Sequence, residues 1–327
     1  MNDSFSDDDT EFDPMLNEMA WDLVQQSLGA ADEMKVELTD CPLGAVIDFG
    51  VEVPGSLAAG LALAEICSGG LLDVQLTPGD LGGTGWPMVS VSTDAPLEAC
   101  LLSQYAGWQV KVGKFFGMGS GPMRAAASRE ELFEDIGYHE QAERVVGVLE
   151  ASKLPGEAVI REIAEACGVE PGNVALVVAP TASIAGNLQI AARSVETAMH
   201  KLFTLGFDVS RVEAGYGFAP LPPVAGEDLI GIGRTNDAIL YGASITLLVT
   251  GDDESIEAIG KQIPSSASAA YGKPFLQIFE EAGRDFYKID PLLFSPAEIV
   301  LSNIETGKVH LFGRRDLGLV RRSFGLE

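Results

Sequence analysis

The segment Val174-Ala-Leu-Val-Val178, followed by Pro180-Thr-Ala-Ser183 and then Ile184-Ala-Gly-Asn-Leu-Gln-Ile-Ala-Ala-Arg-Ser-Val-Glu-Thr-Ala-Met-His200, decides the fold class. A short, wholly apolar, β-branched run reads as a buried strand, and the Pro/Ser turn after it opens an apolar helix extending to about residue 205. At roughly 100° per residue, Ile184, Leu188, Ala191, Val195, Met199 and Leu202 share one helix face. Gln189, Arg193, Glu196 and His200 fall within about 60° of each other on another. Small and apolar residues fill the rest of the surface, so the helix is expected to be buried nearly all round. Buried charges need a partner or a task. Arg193 and Glu196, three residues apart, can pair with each other, and a structural ion pair is the plain reading of that spacing.

The same strand, turn and helix pattern occurs earlier. Gly44-Ala-Val-Ile-Asp-Phe49 is a strand, Pro54-Gly-Ser opens a helix over Leu57–Cys67, and Gly69-Gly70 ends it. This hints at two related α/β halves. Outward from these units, helices are expected over Met15–Ala30, Ala95–Gln104, Glu157–Cys167, 254–263 and 275–283. Strands are expected at Val89–Ser92, Trp108–Val112 and Ile239–Thr250, with a hairpin of Ile299–Asn303 and Lys308–Phe312 around Thr306-Gly307. The charge-dense residues 128–152 read as an exposed segment, and Pro220-Leu-Pro-Pro223 as a rigid loop. The fold class is α/β with mixed sheets, and 327 residues suffice for two domains, expected at 15–168 and 169–327 with possible interleaving.

Composition narrows the function. A formal charge of −27 repels phosphate backbones and anionic lipid headgroups, arguing against nucleic acid and membrane surfaces as partners. Solubility in a salty cytoplasm is the plainer reading of the acidity; it is also compatible with a cationic substrate, which net charge alone does not show. No apolar run approaches the ~20 residues of a membrane span. Residues 1–14 are acidic, lack the features of a secretory signal and read as a solvated tail. Cys41, Cys67, Cys100 and Cys167 are scattered in apolar surroundings, which points to buried free thiols in a reducing cytoplasm.

Three histidines (His139, His200 and His310) are too separated to suggest a metal site, and none is expected. No Gly-x-Ser-x-Gly elbow or P-loop lysine pattern occurs, and Gly231-Ile-Gly233 lacks the context of a dinucleotide fingerprint. Two polar glycine-rich segments remain. Gly119-Ser-Gly-Pro-Met-Arg124 precedes a helix start whose N–H groups can hold an anion or carbonyl, or it is an ordinary capped turn. Gly231-Ile-Gly-Arg-Thr-Asn-Asp237 is either a simple turn or a reader of the polar edges of a heterocycle.

Ala106-Gly-Trp108, Gly117-Met-Gly-Ser-Gly-Pro122 with Arg124-Ala125, Pro180-Thr-Ala-Ser183, Ala192-Arg-Ser-Val-Glu196, Gly233-Arg-Thr-Asn-Asp237, Ser295-Pro-Ala297 and the Thr306-Gly307 turn occur in this order. Together they resemble the methenyltetrahydromethanopterin cyclohydrolase family, from about residue 15 to the C-terminus. Met123 departs from the pattern, where a small residue is expected, and could alter the pocket. The resemblance implies two α/β domains with a pterin in the cleft between them, a homotrimer, and reversible hydrolysis of N5,N10-methenyltetrahydromethanopterin to the N5-formyl compound without a cofactor. It implies Glu196 as base and Arg193 as the group that positions it, lowers its pKa and stabilises developing negative charge. Substrate contacts are then expected from Gly119, Ser120, Gly121, Pro122, Arg124, Ser183, Gln189, Arg234, Thr235, Asn236 and Asp237. A non-catalytic pterin carrier and a cyclohydrolase for a tetrahydrofolate derivative are the alternatives.

Overall fold

The computed structural model of the protein describes residues 15–326, so the acidic tail expected over residues 1–14 lies outside the described residues. Among them are twelve strands: β1 (Glu37–Leu38), β2 (Ala45–Asp48), β3 (Asp73–Asp80), β4 (Gly85–Thr93), β5 (Trp108–Val112), β6 (Phe115–Ser120), β7 (Val145–Glu150), β8 (Val174–Ala179), β9 (Val212–Pro220), β10 (Ser244–Val249), β11 (Glu298–Asn303) and β12 (Val309–Gly313). They form two six-stranded mixed sheets, ordered β1-β2-β8-β7-β6-β5 and β12-β11-β10-β9-β4-β3. The helices that matter for the site are α1 (Leu16–Gly29), α2 (Leu57–Cys67), α3 (Glu157–Cys167), α4 (Ile184–Ala191), α5 (Ser194–Thr204) and α6 (Asp228–Leu240).

In the first sheet β2, β8 and β7 run parallel, and antiparallel strands flank them. Its centre is covered on both faces: Ile47, Val146, Val148 and Val177 pack with α1 and α2, while Val46, Leu149, Val174 and Leu176 pack with α3. A strand buried on both faces has no polar side, which is why β7 and β8 are unbroken apolar runs. The two strand, turn and helix units are neighbours in this sheet, with Ala45 opposite Ala175. Each helix opens on a serine cap, Ser56 Oγ accepting from Ala59 N at 3.0 Å and Ser183 Oγ from Gly186 N at 2.9 Å. The repeated pattern therefore marks adjacent units of one sheet rather than two halves of the molecule.

The second sheet alternates. Ile245, Leu247, Val249, Ile299 and Leu301 face the core, while Tyr216, Leu248, Val309 and Leu311 point outward and are exposed. A cut after residue 168 passes through the first sheet, because β8 lies between β2 and β7. Likewise β3 and β4, from the first half of the chain, complete the second sheet.

Five expectations need correction. Residues 145–150, inside the stretch read as exposed, form β7 in the middle of a sheet; the charges at 129–144 conceal the apolar run behind them. The segment 231–237 is the middle of α6, and the strand expected from Ile239 begins only at Ser244. Its glycines serve close packing instead of a turn: a Cβ on Gly233 would lie 2.9 Å from Leu276 Cβ. The single helix expected to about residue 205 is two, α4 and α5, with a bend at Ala192-Arg193. Of the four free thiols, Cys67 and Cys100 are buried, but Cys41 and Cys167 are half-buried.

Candidate active site

The parallel strands β2, β8 and β7 end on one edge of the first sheet at Asp48, Ala179 and Glu150. The carboxyl edge of parallel strands is where open α/β sheets bind ligands, because the chain departs there in turns and helix starts. After β8 the Pro180–Ser183 turn folds back so tightly that a Cβ on Gly186 would sit 2.1 Å from the Pro180 carbonyl oxygen. That turn fixes α4. The bend after α4 then sends α5 onto β9 of the second sheet, and it leaves Arg193 at the junction.

Arg193 is held through both terminal nitrogens of its guanidinium. Nη1 donates to the Gln104 carbonyl, and Nη2 donates to Ser120 Oγ at 3.1 Å and to Cys67 Sγ at 3.6 Å. Gln104 closes the eight-residue π-helix Leu97–Gln104, and Ser120 closes β6, so three elements orient one side chain. Gln189, one turn earlier, donates to the same Cys67 Sγ at 3.3 Å. Glu196 lies beside Arg193, Nη1 to Oε2 being 3.9 Å, and is 6 % exposed. This is charge contact at a length beyond a hydrogen bond. Burial raises the Glu196 carboxyl to about 7, against the opposing pull of Arg193 and Arg124. Arg193 therefore lowers the Glu196 pKa as expected, but burial outweighs it. The balance gives a carboxylate that takes up and releases protons near neutrality.

His200, on the same stripe, stacks on Tyr105 with ring centroids 4.3 Å apart, and burial pushes its pKa down to about 4. That places it as a neutral packing partner near pH 7.

A small recess of about 10 Å³, room for one water, is lined by Arg193, Gln189, Ser120, Glu150, Gly186 and apolar neighbours. Glu150 is the site residue that sequence reasoning missed. Its carboxylate accepts from Thr181 Oγ1, and burial raises its pKa while Arg193 opposes the rise. The signal was present in Val145-Val-Gly-Val-Leu149, an apolar run ending in a carboxylate, but the acidic stretch before it hid the strand.

Of the other expected contacts, Ser120 and Gln189 reach this recess. Ser183 caps α4 beside it, and Gly119, Gly121 and Pro122 shape the turn out of β6. Arg124 is fully buried and committed: it pairs with Glu130 and donates to the Leu101 and Ser103 carbonyls at 3.0 and 3.1 Å. Met123 packs into the core over Gly119 and Gly147, away from the recess lining. Arg234, Thr235 and Asn236 bond to carbonyls of Ser323 and Pro223, of Gly231, and of Ile232. Asp237 is buried and accepts from Phe275 N at 2.8 Å. The side chains of 234–237 thus have partners within the protein and do not line the recess.

The family model described as "Cyclohydrolase (MCH)" matches residues 15–324. The methenyltetrahydromethanopterin cyclohydrolase of Methanosarcina barkeri is 43 % identical over 316 residues, covering 95 % of this chain and 98 % of that one. That of Methylobacillus flagellatus is 44 % identical over 314 residues, covering 95 % and 96 %. That of Rhodopirellula baltica is 46 % identical over 286 residues, covering 86 % of both chains. With a match running from α1 to the last helix and carrying the bend that holds Arg193 and Glu196, this chain belongs to the cyclohydrolase (MCH) family.

Proposed function

We propose that the chain catalyses the reversible hydrolysis of N5,N10-methenyltetrahydromethanopterin to N5-formyltetrahydromethanopterin in one-carbon metabolism. The observation that carries this reading is the buried Arg193–Glu196 pair, its carboxyl held near 7, in a chain aligned along 95 % of its length with cyclohydrolases. The methenyl carbon is an amidinium sharing positive charge between two nitrogens, so it is already electrophilic. Water adds to this carbon as one of its protons passes to Glu196. N10 takes that proton as its bond to the carbon breaks, and the remaining hydroxyl proton leaves to give the formyl carbonyl. The net change is one cation plus water giving a neutral formyl amide and one proton. The carbon keeps its oxidation level, so no redox cofactor is needed, and we propose none.

In this mechanism Arg193 steadies Glu196 and stabilises the oxygen as negative charge develops on it. Its three anchors hold it still; a displacement of ~1 Å at such a group is costly. Gln189 and Ser120 line a water-sized recess beside Arg193. The pterin occupies a cleft between two lobes built on the two sheets. We assign the protein to the cytoplasm, consistent with four free cysteines and the acidic composition; no helix among the described residues is long and apolar enough to cross a membrane. We also propose a homotrimer, for which the exposed Tyr216, Leu248, Val309 and Leu311 on the outer face of the second sheet offer apolar surface.

The test is product analysis. Purified protein mixed with methenyltetrahydromethanopterin should bleach the methenyl absorbance and yield N5-formyl product, with the methenyl tetrahydrofolate analogue turned over at lower kcat/KM. Binding without bleaching would indicate a carrier, and a higher kcat/KM with the folate would reassign the substrate.

A further inference from the structure

Glu150 is mostly buried at the carboxyl edge of β7, and the only hydrogen bond its carboxylate makes among the described residues is the one from Thr181. No arginine or lysine among the described residues forms an ion pair with it, although Arg193 lines the same recess. A second carboxylate, Asp228 at the start of α6, lies on the same side, held by Ser152 Oγ and by Ala182 N at 3.1 Å, and adds to the negative potential at Glu150. Arg193 is the cation that acts on Glu150, and it is already engaged with Glu196. With Asp228 also near, the carboxylates around the recess outnumber the positive charge, which is unfavourable for buried groups.

The reaction supplies positive charge in one direction only: the methenyl form is a cation and the formyl form is neutral. We propose that Glu150 is a specificity-determining residue that holds the cationic methenyl form through charge and leaves the neutral formyl form almost untouched. The inference rests on the cyclohydrolase reading. It gives Glu150 a part distinct from that of Glu196, which moves the proton. It also moves substrate recognition from Asp237, which is closed inside α6 and its neighbours, to the edge of the first sheet. An anionic site facing a transient cation strengthens binding most where solvent is excluded.

The experiment is Glu150→Gln, assayed in both directions with the full-length protein. Glu150→Gln is expected to raise KM for the methenyl cation about 10- to 100-fold, with kcat for hydrolysis within about threefold of wild type. KM for N5-formyltetrahydromethanopterin should change less than about threefold. Because the overall equilibrium is fixed, the same factor must reappear as a fall in kcat for ring closure. Glu150→Asp, which keeps the charge but shortens its reach, should show a smaller loss with the same preference, and it serves if the glutamine variant does not fold. Thr181→Val removes the hydrogen bond that favours the charged form of Glu150 and should raise KM for the cation in the same direction as Glu150→Gln, by a smaller factor. Equal changes in both KM values, or a fall in kcat in both directions with neither KM altered, would overturn the proposal. Absence of turnover by wild type would instead remove the reading on which it rests.

Discussion

At Glu196 two influences oppose each other, burial favouring the neutral acid and Arg193 the carboxylate, and burial prevails to give a pKa of about 7. The base form needed for hydrolysis is thus lost as pH falls through 7, so kcat/KM for hydrolysis should drop about tenfold per pH unit below that point. Arg193→Met removes the lowering influence. It should cut kcat by roughly 10²-fold or more and move the acid limb of the pH profile upward; a profile left in place would mean that Arg193 does not act on the base. This pair was legible in the sequence because a polar stripe on an otherwise apolar helix is conspicuous. Glu150 was not, since nothing local distinguishes a carboxylate ending a buried strand from one in an exposed acidic run. The partners of Arg124 were not legible either: a glycine-rich turn does not reveal that Glu130, six residues on, closes over the guanidinium.

Among the elements, the Pro180–Ser183 turn and α4 form the platform on which Gln189 and Arg193 stand. Gly186→Ala would place a methyl 2.1 Å from the Pro180 carbonyl oxygen, a backbone atom unable to swing away as a side chain does. The turn must open. The variant should lose about 1–3 kcal/mol of stability in urea unfolding, with activity falling as Arg193 shifts; wild-type stability would contradict the close approach. Strands buried on both faces and serine-capped helices were legible because their signals are local: an apolar run, a turn, a hydroxyl three residues before a bonded N–H. The bend at Ala192-Arg193 was not, because it answers to β9, distant in sequence, onto which α5 packs. In α6, the glycines of 231–233 imitate a turn while serving contact with Ala182 and Leu276.

For the whole molecule, the dominant physical fact is 48 acidic against 21 basic residues. Such an excess destabilises the compact state through self-repulsion, which salt screens over a Debye length of about 10 Å at 0.1 M. Raising KCl from ~0.01 M to ~1 M should therefore increase Tm by several degrees; a flat or falling Tm would show that ion pairs, weakened by the same screening, dominate instead. Two mixed sheets were foreseeable from the alternation of strands and helices. Their interleaving was not, since placing β8 between β2 and β7 and β3–β4 in the second sheet depends on pairings between distant segments that leave no local mark.

The most direct measurement is the rate of methenyl bleaching by Glu196→Gln beside wild type at pH 8, with the affinity of the variant for the methenyl compound determined in parallel. The variant is expected to bind within a few-fold of wild type and to turn over about 10²- to 10⁴-fold more slowly, since it keeps the shape of the site and loses the base. Equal rates would place the base elsewhere and leave Arg193–Glu196 as a structural ion pair.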